Sequence, residues 1–317
     1  MFPQLDFSGI RTQSVKARSS KVTFEALACP IGADATFAEF ADSLPAILKA
    51  RDLRVLAGAI ASAHRHSYPV LVMMGAHVVK VGLAPIIVHL MEQGIISAVA
   101  MNSAAAIHDS EAAMFGSTSE DVAVNLLDGT FGMWTETGDF INGTLAAAAS
   151  GAIGYGEALG RALLDSATPH AASSILAAGV RLDIPVTVHA AIGTDIVHQQ
   201  PGMDGAVTGE MSFRDFRVLA HTVKDLRAGS VVLNLGSAVL MPEVFLKALT
   251  VVRNLGHEAR EFTAVNFDMI QHYRPNMNVV SRPTQDGGKG YSFTGHHEIM
   301  IPLLAAMIQL ELGRGGE

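Results

Sequence analysis

Residues 69–110 read PVLVMMGAHVVKVGLAPIIVHLMEQGIISAVAMNSAAAIHDS, and their pattern decides the fold. Val70 to Met74 is an unbroken apolar run that stops at Gly75, as a buried strand does where it enters a turn. Beyond the turn, Leu83, Ile86, Ile87, Leu90 and Met91 recur at helical spacing, and Gly94 is placed to end that helix. A second apolar run, Ala98 to Met101, gives way to small residues at Asn102 to Ala106, read as a loop. Strand, helix and strand with such short connections predict a parallel crossover.

Open parallel sheets bind ligands at the carboxyl ends of their strands. Two such ends fall here, at residues 75–80 and 102–109. The small side chains of the second would admit a ligand close to the backbone, or would equally permit tight packing of helix on sheet.

Working outward, the 317 residues allow one large α/β domain or two small ones, with 49% apolar and 16% charged residues. So much apolar surface predicts subunit interfaces, hence a homo-oligomer. The apolar runs are too short for a membrane span and the start carries no signal-peptide core, so a cytoplasmic protein without membrane contact is expected. A single cysteine, Cys29, excludes an internal disulfide framework and a cysteine-based zinc site. The net charge of −8 argues against nucleic acid and is compatible with a cationic ligand.

Along the chain, residues 1–21 read as an arm able to cross onto a neighbouring subunit, and residues 22–317 as a single α/β domain. Residues 37–49 and 53–64 predict two helices separated near Arg51. Ser117 and Glu120 fit a capping box opening a helix to Leu127. Helices are predicted over 135–149, 157–164 and 173–182, with a strand over 185–189. The long loop 190–209 has the polar, glycine-rich character of functional loops, and Ser212 is expected to cap a helix running to Leu226. A strand over 231–235, a helix over 242–255 and a strand over 262–266 form a second crossover. Residues 268–295 are read as irregular, and residues 297–312 as the closing helix.

No P-loop or GxGxxG fingerprint is present. The candidates are polar residues at predicted strand ends: Asp109, Asp195, His198, Asn266, Asp268, His272, Lys289, His296 and His297. Lys289, between glycines, would be a nucleophile if desolvated and a solvated loop residue otherwise. Asp195 could bind a ribose hydroxyl or an ammonium group, or serve its own turn. The late histidines His189, His198, His272, His296 and His297 offer an alternative, a metal-dependent hydrolase, although no tight ligand spacing such as HExxH occurs.

The order of elements and these local motifs resemble the deoxyhypusine synthase family, including its homospermidine synthase relatives, over about residues 71–304. The resemblance implies a Rossmann-like parallel sheet flanked by helices, NAD as cofactor, and a homotetramer, a dimer of dimers, with active sites between paired subunits. It implies cofactor contacts at His77, Lys80, Asn102, Ser103, Ala104, Asp109, Thr194, Asp195 and Asn266. Arg282-Pro283 is similar to the pair preceding the family's Trp-Gly-Lys motif, making Lys289 the implied carrier of a covalent imine, here without the tryptophan. Glu243 stands where the family has its active-site histidine. With Asp268, His272, Tyr273 and His296 it would hold a polyamine, Tyr273 as a cation–π wall. The implied reaction is NAD-dependent aminobutyl transfer from spermidine to a small diamine or a protein lysine. A family member that binds NAD or polyamine without turnover is the further alternative.

Overall fold

The computed structural model describes residues 1–315. Its centre is a six-stranded sheet of Val70–Met74 (β1), Ala98–Asn102 (β2), Val186–His189 (β3), Val231–Leu235 (β4), Thr263–Asp268 (β5) and Lys289–Thr294 (β6). The strand order is β3-β2-β1-β4-β5-β6, and every neighbouring pair is parallel. This bears out the Rossmann-like parallel sheet. All carboxyl ends therefore lie along one edge, and the order reverses between β1 and β4.

Phe37–Ser43 (α1) and Leu48–Arg65 (α2) precede the sheet, and His77–Lys80 (α3) and Ala84–Glu92 (α4) join β1 to β2. Between β2 and β3 run Ser103–Phe115 (α5), Val122–Asn125 (α6), Thr135–Ala148 (α7), Tyr155–Asp165 (α8) and Ile175–Leu182 (α9). Gly205–Val223 (α10) leads to β4, Leu240–Asn254 (α11) to β5, and Tyr273–Pro275 (α12) toward β6, while His297–Arg314 (α13) closes the chain.

Both faces of the sheet are covered. Val70, Val72 and Met74 pack in one core with Leu56, Ile60, Ile87 and Leu304, while Leu71 and Met73 pack in another with Leu219, Phe245 and Phe262. A strand buried on both sides carries apolar residues at successive positions rather than alternate ones, which is why β1 and β2 read as continuous runs. Each large side chain so removed from water contributes roughly 1.5–3 kcal/mol before chain entropy is charged against it.

The chain divides into two compact units, Met1–Asp52 and Leu53–Glu317. In the first, Val15–Ala17 and Phe24–Ala26 are 3₁₀ turns. A capping box opens α1: the Thr36 hydroxyl accepts from the Glu39 amide at 3.3 Å and Glu39 accepts from the Thr36 amide at 2.7 Å. The predicted arm, residues 1–21, is the start of this unit.

Several local readings are corrected. The break between the first helices falls after Ser43, where Pro45 follows, not at Arg51. Asn102 is the N-cap of α5 rather than a loop residue, its side chain accepting from the Ala105 amide at 3.0 Å. Asp121, not Ser117, caps a helix that makes little more than one turn, and Asp204, not Ser212, caps α10. Within residues 268–295 lies β6, with Lys289 opposite Thr263 and Thr294 opposite Asp268.

At the reversal point, β1 and β4 end in glycines whose backbones touch. A Cβ on Gly75 would lie 2.5 Å from the Gly236 carbonyl oxygen, and one on Gly236, whose φ is +67°, would lie 2.5 Å from Nε2 of His297. Backbone and the His297 ring are thus closely packed at this point.

Candidate functional site over strands β2 and β3

A cleft of about 600 Å³ opens beyond the carboxyl ends of β2 and β3. One wall is α5. Ala104, Ile107, His108, Glu111 and Phe115 recur at three- and four-residue intervals and so share the helix face that lines the cleft. Thr194, Asp195 and Ile196 enter from the loop after β3, Lys80 from the end of α3, and Trp134, Glu136 and Thr137 from the start of α7. Thr118, Glu120 and Phe131 complete the outer side.

Two polar assemblies are built into this wall. The Ser103 hydroxyl donates to Oδ2 of Asp195, and Nε2 of His198 lies 4.0 Å from the same oxygen. Nδ1 of His198 accepts from the amides of Gly193 and Asp195, each at 3.2 Å, so the ring proton of the neutral form resides on Nε2. That Nε2 is buried and has no hydrogen-bond partner among the described residues. Burial pushes the Asp195 carboxyl above its ordinary pKa, opposed by the Ser103 hydrogen bond and by His198. Tyr155 lies fully buried with its hydroxyl unpartnered among the described residues, and burial, with the charges of Asp195 and Asp215, raises its pKa.

The second assembly joins His108, Thr118, Glu111 and Thr137. Nδ1 of His108 lies 2.6 Å from Oγ1 of Thr118, which donates to Oε2 of Glu111 at 2.5 Å. The other Glu111 oxygen accepts from Thr137 at 2.9 Å. Burial holds His108 below its ordinary pKa, with Glu111 acting to raise it and Lys80 to lower it.

Of the residues expected from sequence, the cleft brings together Lys80, Ala104, Thr194 and Asp195, with Ser103 bonded behind them. Asn102 caps α5. Asp109 is turned away from the cleft: its oxygens accept from the Ser174 hydroxyl at 2.6 Å and the amides of Ile175 and Leu176 at 2.9 and 3.1 Å, capping α9 from a distance. One step along the helix turns a side chain by about 100°, and it is His108 that faces the cleft.

The other expected residues lie elsewhere. His77 packs against His297, ring centroids 5.8 Å apart, near the point where the strand order reverses. Asn266 is an internal tie, accepting from Asn234 at 2.7 Å and donating to Gln271 at 2.8 Å. Glu243 is held by Lys247, by Arg274 at 3.2 Å and by Asn278 at 3.0 Å. Tyr273 accepts from Arg282 at 3.2 Å, His272 and His296 are exposed, and Asp268 ends β5; none of these lines the cleft. Lys289 lies farthest from where it was expected relative to this cleft. It is exposed at the start of β6, opposite the start of β5, and therefore at the sheet edge away from the cleft. The late histidines do not converge: among the described residues no group of His, Cys, Asp and Glu is placed to hold a metal ion.

Sequence reasoning missed His108, Glu111, Thr118 and Trp134. The signal available was the helical spacing from Ala104, hidden once residues 102–106 were read as loop.

The strand order and the cleft at the carboxyl edge define an α/β protein of the Rossmann-like class. No family profile and no curated protein matches the chain. Solved structures do share the fold. A conserved candidate LOR/SDH protein from Methanococcus maripaludis S2 aligns with a TM-score of 0.52 and 17% identity, over 86% of this chain and 71% of its own. A candidate deoxyhypusine synthase from Entamoeba histolytica aligns with a TM-score of 0.52 and 12% identity, over 86% and 93%. AgrE, solved with ornithine and NAD+, aligns with a TM-score of 0.52 and 13% identity over 86% of this chain, which spans 35% of AgrE's length. At these identities the likeness is one of fold. Among the described residues no helix is long and apolar enough to cross a membrane.

Proposed function

We propose that the chain is an NAD-dependent enzyme acting on an amine in the cleft over β2 and β3. The observation that carries this reading is the set of charges lining one cleft, a lysine among four carboxylates. Lys80, and Ala104 in the first turn of α5, both line it, a cation and a helix terminus of the kind that favour a phosphate group. The same cleft is lined by Glu111, Glu120, Glu136 and Asp195 with the aromatic side chains Phe115, Phe131 and Trp134. Carboxylates and aromatic faces suit ammonium groups on an aliphatic chain and repel a pyrophosphate. A dinucleotide therefore fits with its phosphates toward Lys80, and pockets of about 300–1,000 Å³ take ligands of this order.

The finer reading is aminobutyl transfer from a polyamine such as spermidine to a second amine. When bound, the nicotinamide supplies a hydride acceptor. The chain's own residues orient the amine between carboxylates and narrow the access of water through the apolar walls. With Lys289 at the far edge of the sheet, a covalent relay through it is not part of this reading; both amines occupy the one cleft.

The test uses Trp134, the protein's only tryptophan, at the cleft. Titration with NADH is expected to quench its emission by energy transfer, with Lys80→Ala weakening the apparent affinity by about tenfold through loss of one charge-assisted contact. Incubation with NAD+ and spermidine, with and without putrescine, followed by mass spectrometry, is expected to give diaminopropane and, with putrescine, homospermidine. Neither quenching nor product would sink the reading.

A further inference from the structure

We propose that His108 is the acid–base group of this cleft, held in one tautomer by Thr118 and Glu111. The inference rests on the enzymatic reading above and adds the group that moves the proton. A threonine hydroxyl has a single hydrogen, and that of Thr118 is given to Oε2 of Glu111 at 2.5 Å. Its oxygen can then only accept from His108, 2.6 Å away, so the imidazole proton sits on Nδ1. Thr137, donating to Oε1 of Glu111 at 2.9 Å, holds that carboxylate from its other side.

The consequence is at Nε2. In the neutral ring it carries the lone pair, while the ring's hydrogen bond to Thr118 runs through Nδ1. His108 itself lines the cleft. The groups around it are Glu111 on its own helix, Lys80 from α3, Thr118 from the following loop, and Glu120, Glu136 and Asp195 on the other walls. Burial and Lys80 outweigh Glu111 and keep its pKa below the ordinary histidine value, so the ring is a free base at neutral pH.

The step is a proton transfer. The N–H bond of a substrate ammonium breaks, the amine keeps the electron pair, and an Nε2–H bond forms, leaving a neutral amine and an imidazolium. An amine must lose this proton before its neighbouring carbon can give up hydride, since the nitrogen lone pair forms the new C=N bond. Thr118 and Glu111 are positioning residues: they fix which nitrogen faces the amine.

Nitrogen-15 spectra of histidine-labelled protein test this directly, with the His108 resonance assigned by its absence in His108→Gln. At pH 7.5 the wild type is expected to show a protonated Nδ1 and an unprotonated Nε2, and Thr118→Val to shift the ring toward the Nε2–H form. The reverse tautomer in the wild type would overturn the proposal. In turnover, His108→Gln is expected to lose about 10²–10⁴-fold in kcat with KM changed little, and to lose the acid limb of the pH–rate profile, which Thr118→Val moves. An active wild type with His108→Gln within threefold of it overturns the role of His108 and leaves the enzymatic reading standing. A wild type that neither binds NADH nor turns over removes that reading, and this inference with it.

Discussion

Asp215 is a carboxylate wholly occupied by backbone. Its Oδ2 accepts from the amides of Gly156 and Val188, at 2.9 and 2.6 Å, so one side chain serves the start of α8 and the outer edge of β3. An edge strand with unpaired amides invites aggregation, and a buried amide without a partner costs about 1–3 kcal/mol. Burial nevertheless dominates the titration and pushes the Asp215 pKa from 3.8 up to about 7. Because the folded state keeps this proton where the unfolded chain has lost it, the stability linked to it is fully present below 3.8 and is lost as pH rises through about 7. His189 has the opposite sign. Burial pushes its pKa from 6.5 down to about 3, so its contribution is present above 6.5 and is lost as pH falls through about 3. In urea titrations, Asp215→Asn, which keeps an acceptor but cannot ionise, is expected to lose less stability than the wild type between pH 5 and pH 8. Equal slopes would show that the proton is not held. Asp215→Ala, which strands both amides, is expected to cost about 2–4 kcal/mol.

At the scale of the element, α5 and β6 show what could be read from the sequence. Asn102 anchors α5 by accepting from the Ala105 amide, and Asn102→Ala is expected to lower stability by about 1 kcal/mol in the same titrations. A change within a few tenths would mean the cap is dispensable. The strands β1, β2, β4 and β5 were legible because burial on both faces leaves continuous apolar runs. In β6, KGYSFT, only Phe293 is fully buried, and Gly290 is needed because a Cβ there would strike the Val280 carbonyl oxygen. A strand at the sheet's edge needs few apolar residues, so its sequence resembles a loop. Its loop-like sequence is why Lys289 is expected in a loop between glycines rather than at a strand start. At the cleft, Asp195 was legible as a polar residue at a strand end and Lys80 through the family resemblance, whereas His108 was not, because helix phase decides between it and Asp109. Lys289→Ala is therefore expected to leave NADH binding and turnover within twofold of the wild type. A loss of a hundredfold would return the lysine to the reaction.

Over the whole molecule, the sequence expectation of a homo-oligomer becomes testable through two sets of exposed apolar residues. In the first unit Phe2, Leu5, Phe7 and Ile10 are 94%, 84%, 67% and 64% exposed, within the arm expected to reach a neighbouring subunit. In the second, Val124, Leu126 and Leu127 are 59%, 65% and 88% exposed on the segment that leads to Trp134. Single exposed apolar residues are ordinary, but runs of large ones are disfavoured in water unless a partner covers them. A second copy of the chain is the partner that symmetry supplies. Light scattering on the full chain is expected to give a mass that is a multiple of the monomer. Removing residues 1–21, or the double substitution Leu126→Glu with Leu127→Glu, reports which set carries the contact, since a charge forced into an apolar interface is unpaired and desolvated. If the second set is the interface, the charged variant dissociates and Trp134, close in sequence, shifts its emission, while the truncated chain keeps its mass. If the arm is the interface, truncation alone lowers the mass and Trp134 is unchanged. A monomeric wild type at micromolar concentration would show that both sets face water and that apolar composition overstated the need for partners.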